Sequence, residues 1–373
     1  MRYPYAIFII FFAFSFANLS YAQQRDSLLI EEEDEETPVD YTKLVATETV
    51  KAFCSARVIG LSPQKLISIG YDFQLPYTLN AAFDPYSATP PANNATKLPA
   101  DVAFNRGLRV NINYPVISRN NILLSIGGNY SEHLYQLSRP SDAAGTQNFN
   151  SDLLNTLSQD GLRSVSLNAT LFKPLNLKHF LLFQVSGALN GDYFQGLEYT
   201  RWGASAIFGW KPNDRLMWGI GISRSYLAGA LNYFPVVFYN HTFNNQKWGI
   251  EAVLPARLNL RHKLNDKNIL FFGYELEGNT YRLSQMSSNA TAITGRTANY
   301  ELRRAELRVR LTYERAITKL LWFSIQGGYR ANWVFNVDDG DFFRSIFSNQ
   351  QFLMENQLGN PLYFQISINY VSP

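Results

Sequence analysis

Between residues 305 and 314 the chain reads AELRVRLTYE. Ala305, Leu307, Val309, Leu311 and Tyr313 alternate with Glu306, Arg308, Arg310, Thr312 and Glu314. A period of two belongs to a strand whose two faces meet unlike surroundings. The same alternation recurs along the chain. In LISIGYDF, Ile67, Ile69, Tyr71 and Phe73 oppose Ser68, Gly70 and Asp72; in LRVNINY, Leu108, Val110, Ile112 and Tyr114 oppose Arg109, Asn111 and Asn113. VSLNATL (165–171), WGIEAVL (248–254) and LWFSIQGGYRANW (321–333) continue it, and no segment of helical period competes.

The connections separate into two kinds. Short ones at 115–120, 173–178, 211–215, 264–268 and 315–319 carry mostly Pro, Asn or Asp, which suit tight turns. Long ones at 76–102, 135–161, 282–299 and 335–360 are rich in Ser, Asn, Gln, Thr and Gly. Segregating short turns to one end and long loops to the other is the arrangement of a membrane barrel, which a Greek-key sandwich has no reason to adopt. Many runs also reach the ~9 to 11 residues that a tilted membrane strand needs. Tyr114 and Tyr313 precede short turns, Trp333 precedes a long loop, and Trp202 and Trp210 bracket a strand, as aromatic girdles at the two interfaces would. The expected fold is all-β: a single antiparallel transmembrane up-and-down β-barrel of about 12 to 14 strands, with short periplasmic turns and long extracellular loops. The region 226–258 leaves the count open.

Composition supports this. Aromatic residues make up 15% of the chain and charged residues 17%, the latter below the roughly 25% of an average soluble domain. The formal charge is +3, with no Lys/Arg cluster interleaved with aromatics, so nucleic acid is not an expected partner. One cysteine, Cys54, excludes an internal disulfide and a thiolate metal cluster. Residues 1–22 combine a basic Arg2, an apolar stretch from Ala6 to Phe16 and a small-residue exit at Ser20 and Ala22. That is the pattern of a cleaved secretory signal, and its apolar stretch is too short to span a bilayer as a helix. Residues 23–48, with the run Glu31 to Glu36, read as an acidic flexible periplasmic tail, and 49–373 as the barrel domain.

Charge placed by the period of two suggests the chemistry. Arginine on a barrel's lipid face costs ~2 to 4 kcal/mol near the bilayer midplane, so Glu306, Arg308 and Arg310 are expected to line the lumen. The same logic adds Asp72, Arg109, Glu251, Arg261, Glu275, Glu277, Arg304 and Arg330. Two readings stay open: a conduit whose arginines attract anionic solutes, or an interior whose mixed charges satisfy one another. Catalysis has one candidate pairing, Ser131 with His133, but neither GxSxG nor HExxH occurs. The DDGD stretch at 338–341 lacks the spaced ligands of an EF-hand and reads as a turn. No metal, cofactor or catalytic residue is assigned.

The succession of hairpins, centred on VLPARLNLRHKLNDKNILFFGYELEG (253–278), resembles the uncharacterised outer-membrane-barrel domain families of Bacteroidota. The closing stretch LYFQISINYV also resembles the aromatic-ended last strand that the barrel-assembly machinery recognises, although Val371, Ser372 and Pro373 follow Tyr370. The resemblance implies a bacterial outer-membrane location, with membrane lipid and the assembly machinery as partners. It supplies no catalytic residues. The expected function is binding or passage of small solutes through a mixed-charge lumen; the alternatives are a structural barrel that anchors partners and, third, a lipid hydrolase.

Overall fold

Each alternating segment pairs antiparallel with the next until the last meets the first. The computed structural model describes residues 53–83, 96–138, 149–192, 200–227, 230–284, 286, 300–338 and 352–372, all within the unit Lys51–Pro373. The signal sequence and acidic tail expected for 1–48 lie outside the described residues. In chain order the elements are β1 (Lys65–Gln74), β2 (Tyr77–Phe83), β3 (Thr96–Arg119), β4 (Ile122–Ser138), α1 (Phe149–Gln159), β5 (Leu162–Pro174), β6 (His179–Gly191), β7 (Arg201–Asn213) and β8 (Leu216–Leu227). Then follow β9 (Ala230–Thr242), β10 (Trp248–Leu254), β11 (Arg257–Asn265), β12 (Asn268–Arg282), β13 (Glu301–Ala316), β14 (Leu321–Asp338), β15 (Met354–Glu355), β16 (Gln357–Leu358) and β17 (Leu362–Val371).

Fourteen of these close the barrel, in the order β1, β3 to β14, β17 and back to β1. Closure is direct: Tyr71 of β1 stands opposite Ile366 of β17 on one side and Leu108 of β3 on the other. The short β2, β15 and β16 continue the wall above β1 and β17. The count falls at the upper end of the expected range, and the uncertain region 226–258 resolves into β9 and the short β10.

Outward positions are greasy all the way round. Leu167 on β5 is 66% exposed, Phe272 on β12 57% and Ile368 on β17 53%. Near the short turns an outer aromatic band forms: His179, Phe208, Trp210 and Trp218 pack in series, with the last two rings 4.5 Å apart, and Trp248 lies 4.0 Å from His262.

The wall is uneven in height. β3 has 24 residues and β14 has 18, whereas β10 has 7 and β11 has 9. At the long-loop end only two residues separate β8 from β9, and only two separate β10 from β11, so two connections there are short in sequence rather than long. Beyond Glu275, β12 has no ladder with β11. It continues past the tops of β9 and β8 and meets β6, where Arg282 stands opposite Gly191. Asp192 fixes that junction: its N–H donates to the Arg282 carbonyl at 3.1 Å, and its carboxylate accepts from the Ser284 N–H at 2.7 Å.

The expected loops are in part structured. Residues 77–83 and 96–102 are strand despite their Pro and Asn content, because ladder partners outweigh local propensity at a rim. Within the expected loop 135–161, α1 forms, since Leu153, Leu154 and Leu157 share one helical face and bury it completely.

Candidate functional site

The interior is layered, starting with an apolar cap at the long-loop end. Leu153, Leu154 and Leu157 of α1 pack with Leu79, Val102, Tyr135, Tyr281, Leu302 and Phe335 from the surrounding strands. Beneath it lies the charged layer. Arg109 Nε reaches Asp72 Oδ2 at 3.2 Å and its Nη2 reaches Glu277 at 3.4 Å. Arg304 and Arg308 both bind Glu306, at 2.7 and 2.5 Å, and Arg308 also meets Glu277. Arg330, completely buried, bridges Asp72 and Glu306 and lies 4.5 Å from the centre of the Tyr363 ring. Arg310 pairs with Glu275, and Arg261 lies 3.1 Å from Glu251.

Strands β1, β3, β10, β11, β12, β13 and β14 thus turn all eleven of these side chains to the inside. Seven of them form one network across β1, β3, β12, β13 and β14, beside two pairs, Arg310–Glu275 on β13 and β12 and Arg261–Glu251 on β11 and β10. Such charges are held away from water only while each has its partner, so a single deletion leaves the remainder uncompensated.

Below the charged layer is a cavity of about 930 Å³. Arg109, Asn111, Arg308, Arg310, Gln326 and Gln365 face it from the tall side of the wall. From the low side come Leu182, Ile207, Phe234, Val236, Phe238 and Val253 among Gln184, Ser205 and Ser223. Sequence reasoning missed Glu314 and Arg257, although both carry the inward parity of neighbours already singled out. Glu314 closes the alternation begun at Glu306 and holds Lys65 at 2.5 Å.

One side of the short-turn end is lined by a segment that the sequence did not reveal. Residues 53–61 run along the inner rim from β5 to β10. The Cys54 N–H donates to the Asn176 carbonyl at 3.0 Å and the Ile59 N–H to the Asp214 carbonyl at 2.8 Å. Thr242 Oγ1 donates to the Ile59 carbonyl at 2.7 Å. The buried Lys211 ammonium donates to the carbonyl of Arg57 at 2.9 Å and to Ser55 Oγ. Cys54 and Val58 pack against Phe172, Phe180 and Met217. Gly209 makes room for this cluster: a Cβ there would stand 2.0 Å from the Phe180 ring. Burial pushes the Cys54 thiol above its usual value, and the nearby Lys211 charge offsets this only in part.

The remaining candidates fall elsewhere. His133 is 1% exposed and points inward among the arginines, remote from the lipid boundary where a hydrolase would present it. Asp338 is bound by Arg303, and residues 339–341 lie outside the described residues. Among the described residues no cluster of metal ligands occurs.

A family model matches residues 119–371, from β3 to the closing strand, under the description Domain of unknown function. The chain belongs to this family, DUF6268. None of the curated proteins compared matches the chain. Solved structures similar to this DUF6268 chain include an outer membrane channel from Pseudomonas putida F1, at 12% identity and TM-score 0.34, covering 84% of this chain and 97% of that one. Another is a Pseudomonas aeruginosa FadL homologue at 10% identity and TM-score 0.35, covering 84% and 91%. A third is the translocator domain of the autotransporter NalP from Neisseria meningitidis, at 9% identity and TM-score 0.28, covering 83% and 90%. Strand pairing and closure, rather than these distant likenesses, define the DUF6268 barrel.

Proposed function

We propose that the protein is an outer-membrane barrel that admits small solutes to an interior cavity held between two closures, the apolar cap and the segment 53–61. The 930 Å³ polar cavity between them carries this reading. Placement in the outer membrane is supported by the continuous apolar belt, the aromatic band near the short turns and the signal-like residues 1–22. Because each arginine of the charged layer is already paired with a carboxylate, the layer acts less as an anion ring than as a floor beneath the cap.

The test is planar-bilayer current from the refolded full chain, with Val58→Asp as the comparison. Val58 is 4% exposed in the lower cluster, so a carboxylate there is expected to dislodge the segment. Little steady current from the native protein and discrete steps from the variant are the expected result. Wide steady steps from the native protein would overturn the two-closure reading. A folded variant with its segment displaced but no current would favour the second reading, a filled structural barrel that anchors partners; the ion pairs within the charged layer are the observation on that side.

A further inference from the structure

The cavity is two-faced, and its apolar face follows the low wall. Leu182, Ile207, Phe234, Val236, Phe238 and Val253 come from β6, β7, β9 and β10, whereas the side formed by β3, β13, β14 and β17 offers arginines and amides. A solute that satisfies both faces is itself amphipathic. Basic groups exceed acidic ones around it: Lys65, Arg109, Arg257, Arg308 and Arg310 against Glu251, Glu275 and Glu314. Arg257 is exposed at the rim, opposite Glu275 in the ladder, and the two carboxylates beside it are bound by Arg261 and Arg310. Arg257 acts on both of these carboxylates as well, but with Arg261 and Arg310 it makes three arginines for two carboxylates, and this excess positive charge at an exposed guanidinium fork suits an anion.

The wall also has a break at this place. Above residues 255–256 the upper part of β9, bonded to β8 on its other edge, loses its ladder with β10, and the upper part of β12, free of β11 beyond Glu275, passes close to β9 with no ladder between the two. The cavity reaches that seam at Phe234, Leu254 and Ala256. Outside it, Tyr233 is 63% and Phe272 57% exposed within the apolar belt. Along the barrel axis toward the long loops, by contrast, the apolar cap stands in the way.

We infer that the cavity takes a single-chain amphiphile with an anionic head, which enters sideways from the membrane through the seam between β9 and β12. The head pairs with Arg257 and the chain lies along Phe234, Val236 and Phe238. This rests on the reading of the barrel as a solute-binding protein and names its ligand class.

The test uses the refolded full chain in phosphatidylcholine vesicles and dansyl-undecanoate as a fluorescent probe, displaced by laurate, dodecyl phosphate or dodecanol. Laurate and dodecyl phosphate as displacers show whether carboxylate or phosphate heads are preferred. Either is expected to outcompete dodecanol, and Arg257→Glu to weaken the anionic probe about tenfold, the loss of one charge-assisted contact, with dodecanol unchanged. Val236→Asp weakens all of them. For the route, Phe234→Cys in a Cys54→Ala background is expected to react with a lipid-dissolved pyrene maleimide and resist a charged maleimide added in water. Equal binding of laurate and dodecanol would remove the head site, and the reverse labelling pattern would remove the lateral route. If no amphiphile binds while Val58→Asp still conducts, this inference falls and the cavity reading stands; if neither occurs, both fall.

Discussion

The tall and low halves of the barrel wall are built from the same alternating sequence and hold together differently. On β12, β13, β14, β1 and β3, inward positions carry charge, with the uncharged β17 between β14 and β1, and Arg330, Arg308, Glu306 and Asp72 are bound into one network buried under the cap. From β6 to β9, inward positions are mostly small, apolar or uncharged, with Arg201 and Lys211 of β7 as exceptions, β10 and β11 add Glu251, Arg257 and Arg261, and much of what this side packs against is a separate stretch of chain, residues 53–61. Height follows from this difference. A long strand needs an inner surface that stays covered above the cavity, and only the tall half has the cap to cover it. The low half ends where its covering ends, and the seam lies at that step. Rigidity thus concentrates on one side, and access on the other.

The largest expected effect breaks the tall half. Arg330→Ala leaves Asp72 and Glu306 short of a buried cation and is expected to destabilise the barrel by about 3–5 kcal/mol, measured as guanidinium unfolding in lipid vesicles. Leu157→Ala in α1 opens a hole in the cap. A loss of about 2–4 kcal/mol is expected, and proteolysis at the long-loop end would show it before the wall unfolds. In the low half, Gly209→Ala forces the Phe180 ring aside, with an expected loss of about 1–3 kcal/mol. That loss should appear chiefly as faster modification of Cys54, with the global transition nearly unmoved. The smallest effect is expected at the turn pair Lys263–Asp266, where the Asp266 carboxyl is held below its usual value by the Lys263 hydrogen bond yet lies in open solvent. Lys263→Ala should leave unfolding unchanged. An equal response of the global transition to Arg330→Ala and Gly209→Ala would erase the distinction between the halves.

The wall was legible in the sequence because a period of two needs no tertiary information: Glu306, Arg308 and Arg310 turn the same way whatever surrounds them. Their partners were not, since Arg330 meets Asp72 only after closure joins β17 to β1. The helix α1 lay hidden in a polar loop because three leucines in eleven residues give a weak pattern. The seven-residue β10 was legible as WGIEAVL, and only the number of strands across 226–258 stayed open. Least legible was Cys54–Leu61, which has no period and owes its place to carbonyls offered by turns far along the chain.

Cys54, the chain's single cysteine, reports on that segment without any substitution. Its raised thiol value favours the neutral form when docked, so docking is complete below the ordinary value of 9.0 and weakens as pH rises above it. The decisive measurement is the rate at which a small maleimide labels Cys54 in the refolded native protein at neutral pH, against the same protein unfolded in guanidinium. Labelling at least a hundredfold slower in the folded state is the expected result, corresponding to about 2.7 kcal/mol of local opening. Equal rates would mean that the segment does not line the short-turn end, and the account of a cavity held between two closures would be wrong.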